Sequence, residues 1–281
     1  MRRSGRWILA VLAVLTTAEA APPKLAISGA MLHDQREDGP AIPANYEYVP
    51  GELLYLSYRI SGFTVKKDAV DLRWQMYLTD PDGALLAPIS NGAMKEELSV
   101  HDKDWLPKVD QTVPLPPELY SGRYAIHLHM ADELAQTSTE QLIEFKVRGR
   151  APEKLPGITV RGVRFFRSED DAVPLEPAAY RPGETLWARF EIAGYSFGEN
   201  NAFDVEYGLA VYGPSGNLLY EQPVAAQEHD STFYPKRWLF GGFSLAISAN
   251  QLAGEYRVTV RAKDKLAKSS TEQSASFQVK N

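Results

Sequence analysis

Residues 122–147 read GRYAIHLHMADELAQTSTEQLIEFKV, and residues 254–279 read GEYRVTVRAKDKLAKSSTEQSASFQV. At a fixed offset of 132 positions, 11 of these 26 residues are identical, far more than chance supplies. Tyr124, Ile126, Leu128 and Met130 alternate with Ala125, His127 and His129. Tyr256, Val258, Val260 and Ala262 alternate in the same way with Arg257, Thr259 and Arg261. A period of two places each apolar set on one buried face of a strand. Ile143, Phe145 and Val147 repeat the pattern, as do Ala275, Phe277 and Val279.

The duplication extends outward from this stretch. Tyr48-Val49-Pro50-Gly51-Glu52 returns as Tyr180-Arg181-Pro182-Gly183-Glu184, and Pro81-Asp82-Gly83 returns as Pro214-Ser215-Gly216. Proline presets φ and glycine accepts positive φ, so both pairs read as turns, the second at hairpin tips. About seven short strands per copy and no convincing amphipathic helix predict an all-β chain: two tandem antiparallel β-sandwiches from an internal duplication. The expected boundaries are 21–148 for the first sandwich, 149–157 for a proline-rich and charged linker, and 158–281 for the second.

Composition narrows the chemistry. The chain has 281 residues, a net charge of −6 and no cysteine. That removes disulfides, thiolate nucleophiles, cysteine-ligated zinc and iron–sulfur clusters together. The absence of a basic run disfavours nucleic acid as a partner.

The N-terminus reads as an export signal spanning residues 1–20. Arg2, Arg3 and Arg6 precede an apolar run from Trp7 to Leu15, and Ala18-Glu19-Ala20 offers small residues for a signal peptidase. The run is too short to span a bilayer, which needs about 20 residues. Cleavage after Ala20 removes three arginines and one glutamate, taking the net charge to −8. The expectation is a soluble chain in the periplasm or outside the cell, with no membrane span after cleavage.

The turn, hairpin and Gly-x-Tyr motifs, closed by Phe-x-Val, resemble those of immunoglobulin-like sandwiches. More narrowly, they resemble the macroglobulin and fibronectin-type modules of secreted bacterial proteins. The resemblance implies that the Tyr124 and Tyr256 hydroxyls tie back to nearby backbone. It also implies adhesion, spacing or ligand binding as the function, although fold alone transfers function weakly. The thioester chemistry of macroglobulins needs a cysteine and does not carry over.

One further shared pattern suggests a site. His101-Asp102-Lys103-Asp104-Trp105-Leu106-Pro107-Lys108 matches His229-Asp230-Ser231-Thr232-Phe233-Tyr234-Pro235-Lys236 at an offset of 128. Read functionally, these are paired recognition loops: Trp105 and Phe233 for stacking, Lys108 and Lys236 for an anionic group, and His101 and His229 beside Asp102 and Asp230. Read structurally, the aspartates cap turns and the aromatic rings plug the ends of the sandwiches. Tyr234 and Trp238 add stacking faces if they are exposed, and Gly241-Gly242 offers a bulge that could turn them outward.

Adjacent residues in an extended segment point to opposite faces, so each His-Asp pair cannot easily bond through its side chains, and no G-x-S-x-G element appears; the expectation is a chain without catalysis. No metal or cofactor is expected either. His127 and His129 share a strand face, but the second copy has Thr259 and Arg261 there. The leading expectation is therefore an exported binding or scaffold protein that contacts an envelope or extracellular protein. The alternative is a carbohydrate-binding protein using exposed aromatic rings.

Overall fold

The computed structural model describes residues 24–36, 38–99, 101–102 and 104–280. The expected export signal at 1–20 lies outside the described residues.

Eight strands build each half. In the first, β1 (Ala26–His33), β3 (Leu53–Ser61) and β6 (Lys108–Pro114) form a three-stranded sheet in the order β1-β3-β6. β2 (Glu47–Tyr48), β4 (Ala69–Thr79), β5 (Ser90–Glu97), β7 (Gly122–Asp132) and β8 (Thr137–Val147) form a five-stranded sheet in the order β2-β8-β7-β4-β5. The second half repeats this plan. β9 (Thr159–Phe166), β11 (Thr185–Ala193) and β14 (Trp238–Ala246) are ordered β14-β11-β9. β10 (Ala179–Tyr180), β12 (Ala202–Tyr212), β13 (Leu218–Ser231), β15 (Gly254–Asp264) and β16 (Ser269–Val279) are ordered β10-β16-β15-β12-β13. The chain is thus all-β, with antiparallel sheets arranged as two sandwiches. The two-residue strands β2 and β10 pair in parallel with their neighbours.

The period-two reading holds at the core. Tyr124, Ile126, Leu128 and Met130 are buried in the first half, and Tyr256, Val258, Val260 and Ala262 in the second. Each set packs against the opposite sheet, on Leu54, Leu56, Tyr58 and Ile60 or on Leu186, Ala188, Phe190 and Ile192. Burying a side chain of this size contributes about 1.5–3 kcal/mol, so the two faces supply most of the driving force for each half.

Local devices repeat with the sheets. The Tyr124 hydroxyl donates to Tyr120 O at 2.9 Å, and the Tyr256 hydroxyl to Leu252 O at 2.7 Å, each four residues back. Gly51 and Gly183 take φ of 84° and 91° after their prolines, a conformation open to glycine. Glu52 and Glu184 close the same turns by accepting the Val49 and Arg181 amides at 2.8 Å. Asp132 and Asp264, both buried, accept the amides two and three residues on, and also an amide from the distant loops at Thr64 or Ser196.

Candidate functional site

The two His-Asp-x-x-aromatic-x-Pro-Lys stretches occupy different structural positions, which corrects the reading of them as paired loops. Ile60 donates to Pro107 O in the first half, while its counterpart Ile192 pairs with Leu239 in the second. Pro107 therefore corresponds to Leu239, not to Pro235. His101 and Asp102 lie in the ten-residue connection 98–107. His229 and Asp230 instead lie inside β13, opposite Asp204 and Phe203. The matching connection in the second half, 232–237, has only six residues.

In the first of these stretches the Asp102 carboxylate accepts the Ser99 amide at 2.7 Å. Hydrogen bonds from the Ser99 hydroxyl and amide hold its carboxyl below the usual carboxylate range. His101 is exposed, and Lys108 reaches Asp110 at 2.7 Å. Trp105 is half-buried, edge-on to Phe63 at 5.8 Å. Together with Val65, Asp68 and Leu98 these rings line an open cleft of about 250 Å³ at the end of the first sandwich. Val65 and Leu106 are exposed beside it.

In the second stretch His229 is exposed, 3.6 Å from Asp204. Asp230 accepts the Ser231 amide. Lys236 bonds Glu228 at 3.3 Å. Phe233 is half exposed, but Tyr234 and Trp238 are not stacking faces: both are buried where the two halves meet. The glycine pair makes no bulge, because β14 runs in unbroken register along β11 from Trp238 to Ala246. Gly241 instead makes room for the Phe190 ring, which a Cβ would approach to 2.4 Å.

The seam between the halves is built around one acid. Asp80 stands at the β4 end, in the Pro81-Asp82-Gly83 hairpin, with its side chain only 2% exposed. One carboxylate oxygen accepts the amides of Asp82 and Ala84, fixing the hairpin. The other accepts the Tyr234 hydroxyl at 3.0 Å and the Arg237 guanidinium at 3.2 Å. Tyr234 packs into the apolar core of the first half. Burial pushes its phenol up, and the neighbouring Arg237 only partly opposes this.

Aromatic and cationic groups extend the seam. The Tyr120 ring packs at 5.7 Å from Trp238 and lies under the Arg237 guanidinium at 5.0 Å. Arg150, from the connecting segment, sits over Trp238 at 4.3 Å and bonds Glu191 at 2.6 Å. The buried Asp80–Arg237 pair adds little against an apolar replacement, but losing one partner strands the other charge. The sequence hinted at this seam only through the aromatic density of 234–243.

The His127 ring stacks on Tyr77 at 4.5 Å and shares a hydrogen bond with the Thr79 hydroxyl. No group of three or more His, Cys, Asp or Glu side chains placed to hold a metal occurs among the described residues. No helix among them is long and apolar enough to cross a membrane.

No protein-family model matches the chain, and no curated protein sequence matches it. Among solved structures it is similar to red sea bream transglutaminase, with 9% identity and a TM-score of 0.27. The match covers 94% of this chain and 32% of the transglutaminase. That neighbour is an enzyme, so the expectation of a chain without catalysis is withdrawn; a likeness this weak assigns no activity either.

Proposed function

We propose that the chain is an exported binding module of two immunoglobulin-like sandwiches that contacts an envelope or extracellular protein through the free end of its first sandwich. The carrying observation is the contrast between the two ends. Tyr234 and Trp238 are spent on the seam, whereas Trp105, Phe63 and Val65 line an open cleft and the neighbouring Leu106 is exposed. Exposed apolar side chains grouped around a cleft and rimmed by acids such as Asp68 and Asp102 are a usual contact surface. Export rests on the basic and apolar N-terminal run. The tyrosine ties and the sheet order support the immunoglobulin-like assignment.

The test is capture from envelope extract by the parent chain and by a Trp105→Ala/Leu106→Ser variant whose circular dichroism matches the parent. A partner retained by the parent and reduced at least tenfold on the variant supports the reading. Equal capture by both, or capture of nothing, overturns it.

A further inference from the structure

The duplication allows the same corner of each sandwich to be compared with its copy. His33 and Phe166 hold matching places, opposite Tyr55 and Trp187 respectively. By the same register Asp34 corresponds to Arg167, and Ser57 to Arg189. Tyr48 and Glu52 correspond to Tyr180 and Glu184.

In the second half this place is filled by the chain's own cations. The Arg189 guanidinium lies over the Phe166 ring at 4.1 Å and donates to Asp171 O at 2.7 Å. Arg167 reaches Glu184 at 3.5 Å. The Tyr180 hydroxyl donates to Phe166 O at 2.8 Å.

In the first half both arginines are missing and the surroundings are better suited to a cation. Asp34 replaces Arg167, and a buried His33–Ser57 hydrogen bond of 2.7 Å replaces the stack of Arg189 on Phe166. A cleft of about 250 Å³ remains, lined by Asp34, Tyr46, Tyr48, Glu52 and Tyr55. Tyr46 and Tyr48 meet edge to face at 5.0 Å, forming a corner. The Tyr46 hydroxyl donates to Glu52, and this bond pushes the phenol up to about 12, so it stays neutral as a wall. The Glu52 carboxylate accepts that hydroxyl and the Val49 amide, which leaves acceptor positions open. The Tyr48 hydroxyl is fully buried and has no hydrogen-bond partner among the described residues, unlike that of Tyr180. Arg148 lies near enough to Tyr46 to oppose the two acids weakly.

We infer that the cleft walled by Tyr46, Tyr48 and Tyr55 and floored by Asp34 and Glu52 binds a guanidinium group, the side chain of an arginine on another protein. Aromatic faces attract cations through their quadrupole, and a planar guanidinium both stacks and forks onto a carboxylate. The second half makes these contacts with two arginines of its own, Arg189 on the Phe166 ring and Arg167 on the Glu184 carboxylate. The first half presents the receiving groups without the donor. This site is separate from the Trp105 cleft, so either can fail without the other.

The experiment is an NMR titration of the whole chain with Nα-acetyl-L-arginine amide, read at the amides of residues 34, 46, 48, 52 and 55. Saturable shifts at these positions are expected. The uncharged citrulline analogue and Nα-acetyl-L-lysine amide should each bind at least tenfold more weakly. An Asp34→Arg variant supplies the cation that the second half carries, and should lose tenfold or more in affinity with its other amide shifts unchanged. Tyr55→Leu removes one wall and should weaken binding by a similar factor. No saturable shift, equal binding of citrulline, or unchanged affinity in Asp34→Arg overturns the site. Equal binding of the lysine analogue overturns the guanidinium assignment.

Discussion

The two halves share a skeleton and differ wherever that skeleton meets something outside it. Both carry the same sheet order, the same tyrosine tie four residues back and the same buried aspartate holding three amides. Both even carry a β-bulge at a left-handed glycine, Gly29 in β1 and Gly162 in β9. Their hairpin tips, end connections and edge strands have diverged. Edge strand β5 has eight residues and ends in Lys95, Glu96 and Glu97, while β13 has fourteen and exposes Leu218, Leu219, Tyr220 and Val224. Charge, proline and bulges blunt a strand edge against stray pairing, and β13 sets Glu221, Pro223, Glu228 and Asp230 among its apolar side chains, while β5 gathers its charge at one end. Core positions are held by packing against both sheets, whereas end positions are free to acquire separate tasks.

The sharpest difference is at the first hairpin tip, where Asp80 stands in place of Gly213. Asp80→Ala leaves Arg237 without its acid and the Asp82 and Ala84 amides without their acceptor. Breaking a buried pair from one side costs about 3–5 kcal/mol. Denaturant unfolding should show that loss and split into two transitions, while Asp82→Ala in the same hairpin stays within about 0.5 kcal/mol of the parent. A single unshifted transition in Asp80→Ala would mean that the halves do not depend on this seam.

A second contrast lies inside the three-stranded sheets. Val109, buried opposite Tyr58, corresponds to Gly241 opposite Phe190. Gly241→Ala drives a methyl into the Phe190 ring and should cost about 1–3 kcal/mol in thermal unfolding. A neutral Gly241→Ala would show that the ring moves aside, and the two sheets would then be interchangeable at this point.

The smallest effect concerns acid. Burial alone would raise Asp264, but the amides of Ala267, Ser196 and Leu266 and the Ser196 hydroxyl hold its carboxyl below the ordinary range. A depressed native value adds stability that is fully present above the unfolded value of about 3.9. This contribution fades as pH falls through the native value. Asp264→Asn should therefore lower stability at pH 7 and flatten its decline below about pH 4, measured by urea unfolding across pH. An unchanged slope would remove Asp264 from the acid response.

Much of this was legible in the sequence. Alternation at 124–130 and 256–262 marks strands because side chains on a sheet must choose a face, and the turn glycines read correctly because φ near +84° excludes most residues. The candidate site was less legible. The match between His101–Lys108 and His229–Lys236 ignored a change in loop length that only strand pairing reveals. Nothing in the sequence around Asp80 marks its role, because its partners Tyr234 and Arg237 are 154 and 157 positions away. The exchange of Arg167 for Asp34 was hidden too, because the offset of 132 sets Asp34 against Phe166 and only the strand pairing of β1 and β9 moves it one place.

The seam also gives the two copies a direction. Where the first half offers an acid and an aromatic ring at its base, the second offers Gly213 and Leu252, the latter standing 77% exposed. Leu106 occupies the place of Trp238 at the far end of the first half. The acceptors of the lock, Asp80 and Tyr120, thus lie on the first half alone, and its donors, Tyr234, Arg237 and Trp238, on the second alone. Two copies of one fold have become complementary rather than equivalent, as plug and socket are.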